Sequence, residues 1–83
     1  METLEIESTE RTPGIIFDYD HHYFEINGEA YPENSDEFFR PIMESLQEYS
    51  GLGSSETITF VFKLIYFNSS SARVFMKLLE LLD

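Results

Sequence analysis

The order of apolar and polar residues in the first part of the chain predicts short strands. Residues 15–19 combine β-branched and aromatic side chains, and residues 23–26 alternate between apolar and polar ones. The polar residues 20–22 between them predict an antiparallel hairpin. Asn27 and Gly28 both tolerate positive φ, so they predict a turn after which residues 29–31 pair back onto the second strand.

A helix is predicted next, because apolar residues recur at spacings of four, four and three. These residues are Phe38, Ile42, Leu46 and Tyr49. Asn34 or Ser35 can accept a hydrogen bond from the first helical turn, and Pro41 removes one backbone donor and predicts a local kink. Residues 50–55 contain two glycines and three serines, which predict a flexible loop.

The last part of the chain predicts one strong strand and a second helix. Residues 57–67 are apolar on both faces, which is typical of a central strand that is covered on both sides. Asn68 then opens a helix, and its predicted buried residues are Val74, Phe75, Leu78, Leu79 and Leu82. The predicted fold is therefore α/β, a small mixed sheet with helices packed on it. A central strand needs a second neighbour, so either another strand pairs there or the chain is a fragment.

Length and composition predict one small acidic domain. The chain has 83 residues, no cysteine and a net charge of −11, and thirteen of its 16 acidic residues lie within residues 1–50. We expect residues 1–12 to be a flexible acidic leader and residues 13–83 to be a single domain. The charge repels nucleic acid and anionic lipid, and is explained either by solubility or by attraction to a basic protein partner. With no signal peptide or membrane span, the expected location is the cytoplasm.

No residue pattern in the chain predicts catalysis, a metal site or a cofactor. His21 and His22 are adjacent, so on a strand or tight turn their side chains point apart, and no third ligand is suitably spaced. No pair of carboxylates lies in an apolar segment, where a shifted pKa would arise. Gly-rich phosphate loops and nucleophile elbows are also missing from the sequence. We therefore expect a protein that is not an enzyme.

The run of three serines before the second helix is the best candidate site. Ser69, Ser70 and Ser71 follow Asn68, and Arg73 lies four residues after Ser69. The backbone N–H groups at a helix start favour an anion, and an arginine can pair with a phosphate. A simpler interpretation is that these residues only cap the helix. The residues themselves leave both interpretations open.

Two sequence signatures favour the first interpretation. One comprises Tyr31, Pro32, Glu33, Asn34 and Ser35, followed by Phe-Phe-Arg-Pro-Ile at residues 38–42. The other is the apolar and aromatic residues 64–67, followed by Asn-Ser-Ser-Ser. With Thr12-Pro13 ahead of the first strand, the chain resembles the SiaC-like bacterial regulatory phosphoproteins over residues 12–82.

This resemblance implies a fold similar to that of STAS-type anti-sigma-factor antagonists, and a function in partner switching. A dedicated Ser/Thr kinase phosphorylates the hydroxyl after the motif asparagine, which corresponds to Ser69, and a PP2C-type phosphatase removes the phosphate. The unphosphorylated form binds an effector, a diguanylate cyclase in the best-known systems, and so raises cyclic-di-GMP and promotes biofilm formation. The partner and phosphate site would comprise Asn68, Ser70, Ser71, Arg73, Tyr31, Pro32, Glu33 and Asn34.

The chain departs from the family pattern at two points. It has Ser69 where the family has threonine, and it ends before the closing strand and helix of the family. The main alternative is an acidic protein–protein interaction module in which the serines only cap the helix. A small acid–base enzyme would need a carboxyl group with a raised pKa in a pocket.

Overall fold

The computed structural model describes residues 2–52 and 57–82. In chain order the elements are β1 (Leu4–Ile6), β2 (Gly14–Asp18), β3 (Tyr23–Ala30), α1 (Ser35–Ser50), β4 (Thr59–Phe67) and α2 (Ser69–Leu81). The four strands form one sheet in the order β1-β2-β3-β4. The first two pairings are antiparallel and β3 pairs with β4 in parallel, with α1 as the crossover. This mixed sheet with two helices confirms the predicted α/β fold.

Both helices pack on one face of the sheet, around a core centred on Phe24. In the sheet register Phe24 lies opposite Phe17 of β2 and Phe60 of β4, so these rings share a face. The Phe24 ring lies 5.3 Å from that of Tyr49 on α1. Farther along the same face, the Phe62 ring lies 5.3 Å from that of Phe75 on α2. The alternation of apolar residues in β2 and β3 therefore determines which face the helices cover.

The predicted turn at Asn27-Gly28 is wrong, because β3 continues through both residues. Gly28 has φ +87, and the register shifts between Gly28 and Glu29 because Ile65 of β4 is the extra, unpaired residue of a bulge. Ala30 does not pair back on the preceding strand but lies opposite Phe67 of β4. The positive φ that favours a turn at Gly28 therefore occurs within a strand, opposite the bulge of its parallel partner.

The prediction that residues 1–12 lack regular structure is wrong for Leu4–Ile6. This segment forms β1, which pairs with β2 and places Leu4 opposite Phe17 and Ile6 opposite Ile15. This segment contains two apolar residues, which are too few to predict a strand from the sequence pattern alone. The pairing depends on the exposed edge of β2, which a local pattern cannot reveal.

The prediction that residues 57–67 form a central strand is wrong for the described residues. Within residues 2–52 and 57–82, β4 lies at the edge of the sheet and pairs only with β3. Ile65 has no register partner on β3 and is 79% exposed, and Phe67 is 49% exposed. Apolar residues on both faces predicted burial on both faces, but in this structure both faces of β4 remain partly open.

Both helices begin at the predicted caps. The buried face differs from prediction at Phe38 for the first helix, and at Leu79 and half-buried Leu82 for the second. Phe39 rather than Phe38 is fully buried on α1, and Phe38 is half-buried. On α2, Leu79 is 45% exposed beside β4, contrary to prediction. α1 continues through Pro41 as one helix. Residues 53–55 of the predicted loop lie outside the described residues.

On the sheet face opposite the helices, Glu25 forms the centre of a polar network. Its carboxylate accepts hydrogen bonds from the Tyr23 hydroxyl at 2.6 Å and the Asn27 amide at 2.9 Å, and Lys63 Nζ lies 3.4 Å away. Glu25 is only 8% exposed. The hydrogen bonds from Tyr23 and Asn27, with the charge of Lys63, hold the pKa of Glu25 below its ordinary value of 4.5.

Replacing Glu25 by glutamine is expected to lower the free energy of unfolding at pH 7 by about 1–3 kcal/mol. Because its folded pKa is lowered, Glu25 stabilises the protein above its unfolded pKa, and this contribution is lost as the pH falls through the folded pKa. Urea denaturation between pH 3 and pH 7 should therefore show a weaker pH dependence for Glu25→Gln. Glu33→Gln is the control, since Glu33 is exposed and its ion pair is with the exposed Arg11. Equal losses in the two variants would contradict this prediction.

Candidate functional site

The first turns of α1 and α2 lie side by side, and an asparagine caps each of them. The Asn34 side chain accepts a hydrogen bond from the Glu37 backbone N–H at 3.0 Å. Asn68 accepts one in the same way from Ser71 N–H at 2.9 Å. The backbone N–H of Asn68 also donates to the Ala30 carbonyl at the end of β3. The start of α2 is therefore fixed both by its own cap and by the sheet.

A chain of hydroxyl groups connects the two helix starts. Ser70 Oγ donates to Asn68 Oδ1 at 3.0 Å, and Ser70 Oγ lies 2.7 Å from Ser35 Oγ. Because a hydroxyl has a single proton and Ser70 gives it to Asn68, Ser35 must donate to Ser70. Hydrogen bonding therefore runs from the first residue of α1 to the cap of α2.

The three serines at the start of α2 differ sharply in exposure. Ser69 is exposed, Ser70 is half-buried, and Ser71 is 0% exposed. Ser71 Oγ has no hydrogen-bond partner among the described residues and faces the protein interior. Of the three side chains, that of Ser69 is the most exposed. Burial therefore excludes Ser71 from modification, and Ser69 is the most accessible serine of the run.

A groove of about 340 Å³ lies between the two helix starts. Its lining residues are Glu33, Asn34, Ser35, Asp36, Ser70, Arg73, Val74 and Lys77. The positive side chains Arg73 and Lys77 come from α2, and the acidic side chains come from α1 and the residues before it. Ser69 and Ser71 are not among the lining residues. The groove is thus polar and of mixed charge.

Of the predicted site residues before α1, Tyr31 and Pro32 do not line this groove, whereas Glu33 does. The ring of Tyr31 lies 5.3 Å from that of Tyr66, and its hydroxyl donates to Glu29 at 3.2 Å. Burial, together with the carboxylate of Glu29, raises the pKa of Tyr31. Pro32 is buried, and Glu33 forms an exposed ion pair with Arg11 at 3.2 Å. The assignment of all these residues to a partner site stays a prediction.

The two histidines have different partners. His21 Nδ1 lies 2.9 Å from Asp18, whereas His22 Nδ1 lies 2.6 Å from the Tyr49 hydroxyl. Residues 2–52 and 57–82 contain no group of three or more His, Cys, Asp or Glu side chains placed to hold a metal ion. In the same part of the chain, neither helix is long and apolar enough to cross a membrane.

Four residues of the groove were not predicted as site residues: Ser35, Asp36, Val74 and Lys77. The contact of Ser35 with Ser70 joins residues 35 positions apart. Lys77 lies four residues after Arg73, on the same side of α2, and this spacing was the available sequence signal. The Ser35 contact had no sequence signal, because it depends on how α1 packs against α2.

Together these features define a small α/β protein with an exposed serine at the start of its second helix. The sequence matches the family model described as "SiaC family regulatory phosphoprotein" over residues 6–83. The chain therefore belongs to the SiaC family of regulatory phosphoproteins. It is 31% identical over 83 residues to an uncharacterised protein of Pseudomonas aeruginosa strain UCBPP-PA14. That match covers 100% of the chain and 65% of the relative, so the chain spans about two thirds of the relative's length.

Solved structures of SiaC from Pseudomonas aeruginosa have the same fold. Apo-SiaC superposes with a TM-score of 0.89 at 30% sequence identity, covering 99% of this chain and 67% of that one. SiaC in a complex with the diguanylate cyclase SiaD, of which it is the activator, superposes with a TM-score of 0.84 at 30% identity. It covers 95% of this chain and 64% of that one. The resemblance inferred from the two sequence signatures is confirmed.

Proposed function

We propose that this protein is a non-catalytic phosphoprotein of the cytoplasm that binds and regulates a diguanylate cyclase when it is unphosphorylated. A Ser/Thr kinase phosphorylates Ser69 and a PP2C-type phosphatase removes the phosphate. The observation that carries the proposal is the exposure of Ser69 at the start of α2, where Ser71 is buried and Ser70 is held by two hydrogen bonds. The activator role of a structural neighbour toward its diguanylate cyclase supports the choice of effector.

The capping geometry favours this proposal over an interaction module without a switch. In that alternative the serines are needed to cap α2. Asn68, however, accepts the capping hydrogen bond, so the hydroxyl of Ser69 is not required for that role. A negative charge at this first turn is also tolerated by the fold, since the helix dipole favours anions there.

The phosphate changes binding through charge. At pH 7 it adds about 1.5–2 negative charges to an exposed position. Within a partner interface that charge has to be desolvated, which is costly unless the partner supplies a cation. Phosphorylation therefore alters the partner contact more than it alters the fold.

Mass spectrometry of the intact protein and its fragments, purified from the native cell, tests the proposal. We expect one phosphate, on Ser69, with higher occupancy in a strain that lacks the phosphatase. Growth conditions that change the kinase activity should change the occupancy. If no phosphate appears under any condition, including in the phosphatase-deficient strain, the serines have no signalling role and the interaction module becomes the better explanation.

A further inference from the structure

The hydroxyl chain between the two helices bears on which serine can be modified. Ser69 and Ser70 are consecutive residues in the first turn of α2, and both are at least partly exposed. Ser71 is excluded by burial alone. Exposure by itself does not exclude Ser70, so a further feature has to distinguish Ser70 from its neighbour.

We propose that Ser35 is a specificity-determining residue for phosphorylation, because its hydroxyl engages Ser70 and so restricts the reaction to Ser69. This inference rests on the proposed function. Ser35 is 7% exposed at the first position of α1, and its Oγ lies 2.7 Å from Ser70 Oγ. Ser70 in turn gives its proton to Asn68 Oδ1. The Ser70 oxygen is therefore both an acceptor for Ser35 and a donor to Asn68.

This arrangement opposes the chemistry of phosphoryl transfer at Ser70. A serine oxygen must direct a lone pair at the terminal phosphorus of a nucleoside triphosphate, forming an O–P bond while the bond to the leaving diphosphate breaks. The serine proton passes to a base of the kinase. At Ser70 one lone pair accepts the Ser35 proton, and the hydroxyl proton points to Asn68 rather than outward. The bond to Asn68 has to be broken before the Ser70 proton can pass to the kinase base. The bond from Ser35 occupies one of the two lone pairs and holds the Ser70 oxygen beside α1, whereas Ser69 is exposed to solvent.

Site-resolved mass spectrometry of Ser35→Ala tests this inference, using protein from the native cell that lacks the phosphatase. The measured quantity is the ratio of phosphate on Ser70 to phosphate on Ser69. We expect Ser35→Ala to raise this ratio about fivefold, the factor that the loss of one hydrogen bond of ordinary strength implies. Ser35→Thr keeps a hydroxyl and should keep the wild-type ratio.

Ser45→Ala is the matched control. Ser45 also lies on α1, and its hydroxyl also bonds another hydroxyl, that of Tyr19, away from the serine run. The ratio should stay at the wild-type value in this variant, which excludes a general effect of loosening α1. Circular dichroism and thermal unfolding establish that each variant is folded before its sites are mapped.

The outcomes separate the two proposals. Phosphate on Ser69 with an unchanged ratio in Ser35→Ala would overturn the role of Ser35 and leave the switch at Ser69 in place. An equal rise of this ratio in Ser45→Ala would also overturn the role of Ser35. Absence of phosphate from all three serines in wild type and in Ser35→Ala would overturn both proposals.

Discussion

Phe24→Ala is expected to lower the free energy of unfolding by about 3–5 kcal/mol, the usual loss for a buried phenylalanine. Phe24 is 0% exposed. Its ring lies 5.2 Å from the ring of Phe17 and 5.8 Å from that of Phe60, so it contacts both neighbouring strands. A domain of this size has a total stability of about 4–12 kcal/mol. The loss is therefore at least about a quarter of the total stability, and urea denaturation followed by circular dichroism should show a much lower midpoint than that of the wild type.

Phe67→Ala is the control for this prediction. Phe67 is 49% exposed on β4, and its ring lies 6.1 Å from that of Phe75. Removing a half-exposed ring should cost about 1 kcal/mol. If the two variants lose the same stability, the core is not centred on Phe24 and β4 is more deeply buried than the structure indicates.

Ser69→Glu is expected to weaken binding to the effector at least about tenfold, which corresponds to about 1.4 kcal/mol. The added carboxylate stands in for the phosphate and carries part of its charge. Because Ser69 is exposed at the positive end of α2, the free energy of unfolding should change by less than about 0.5 kcal/mol. Isothermal titration calorimetry with each diguanylate cyclase of the source organism, alongside urea denaturation, measures both quantities. Site-specific incorporation of phosphoserine at this position should give a larger loss of affinity than glutamate.

Two variants serve as controls for Ser69→Glu. Ser69→Ala removes the hydroxyl without adding charge and should bind like the unphosphorylated wild type. Thr57→Glu adds the same charge at an exposed position before β4, whereas Ser69 follows the other end of that strand. Equal binding by wild type, Ser69→Glu and phosphorylated protein would contradict the switch. Equal weakening by Thr57→Glu would show that the loss of binding comes from the added net charge and not from its position at Ser69.

Local sequence patterns predicted the helices and the class of fold, because those features depend on nearby residues. Asn34 and Asn68 cap the two helices as expected, and β2 lies close to its predicted position. The failures among the strands before α1 concern strand pairing. β1 depends on the exposed edge of β2, and the continuous β3 depends on the parallel partner β4, and a pattern of neighbouring residues does not contain either pairing.

The candidate site was likewise predicted only in part from the sequence. The serine run and Arg73 were apparent from residue type and spacing, and the family resemblance singled out Ser69. The differences in exposure between Ser69, Ser70 and Ser71 come from the packing of α2 on the sheet and on α1. Three consecutive serines have the same intrinsic chemistry, so only the tertiary structure distinguishes them.

When β3 pairs with β4, the entropic cost of closing the chain between them falls on a single folding step. Tyr23 lies opposite Thr59, a separation of 36 residues, whereas β1, β2 and β3 are joined by short connections. The antiparallel strands can therefore associate through contacts that are local in sequence. The β4 contacts gain their favourable energy only after the intervening chain has closed a long loop. Because α2 begins directly after β4, the serine run reaches its place beside α1 in this same late step.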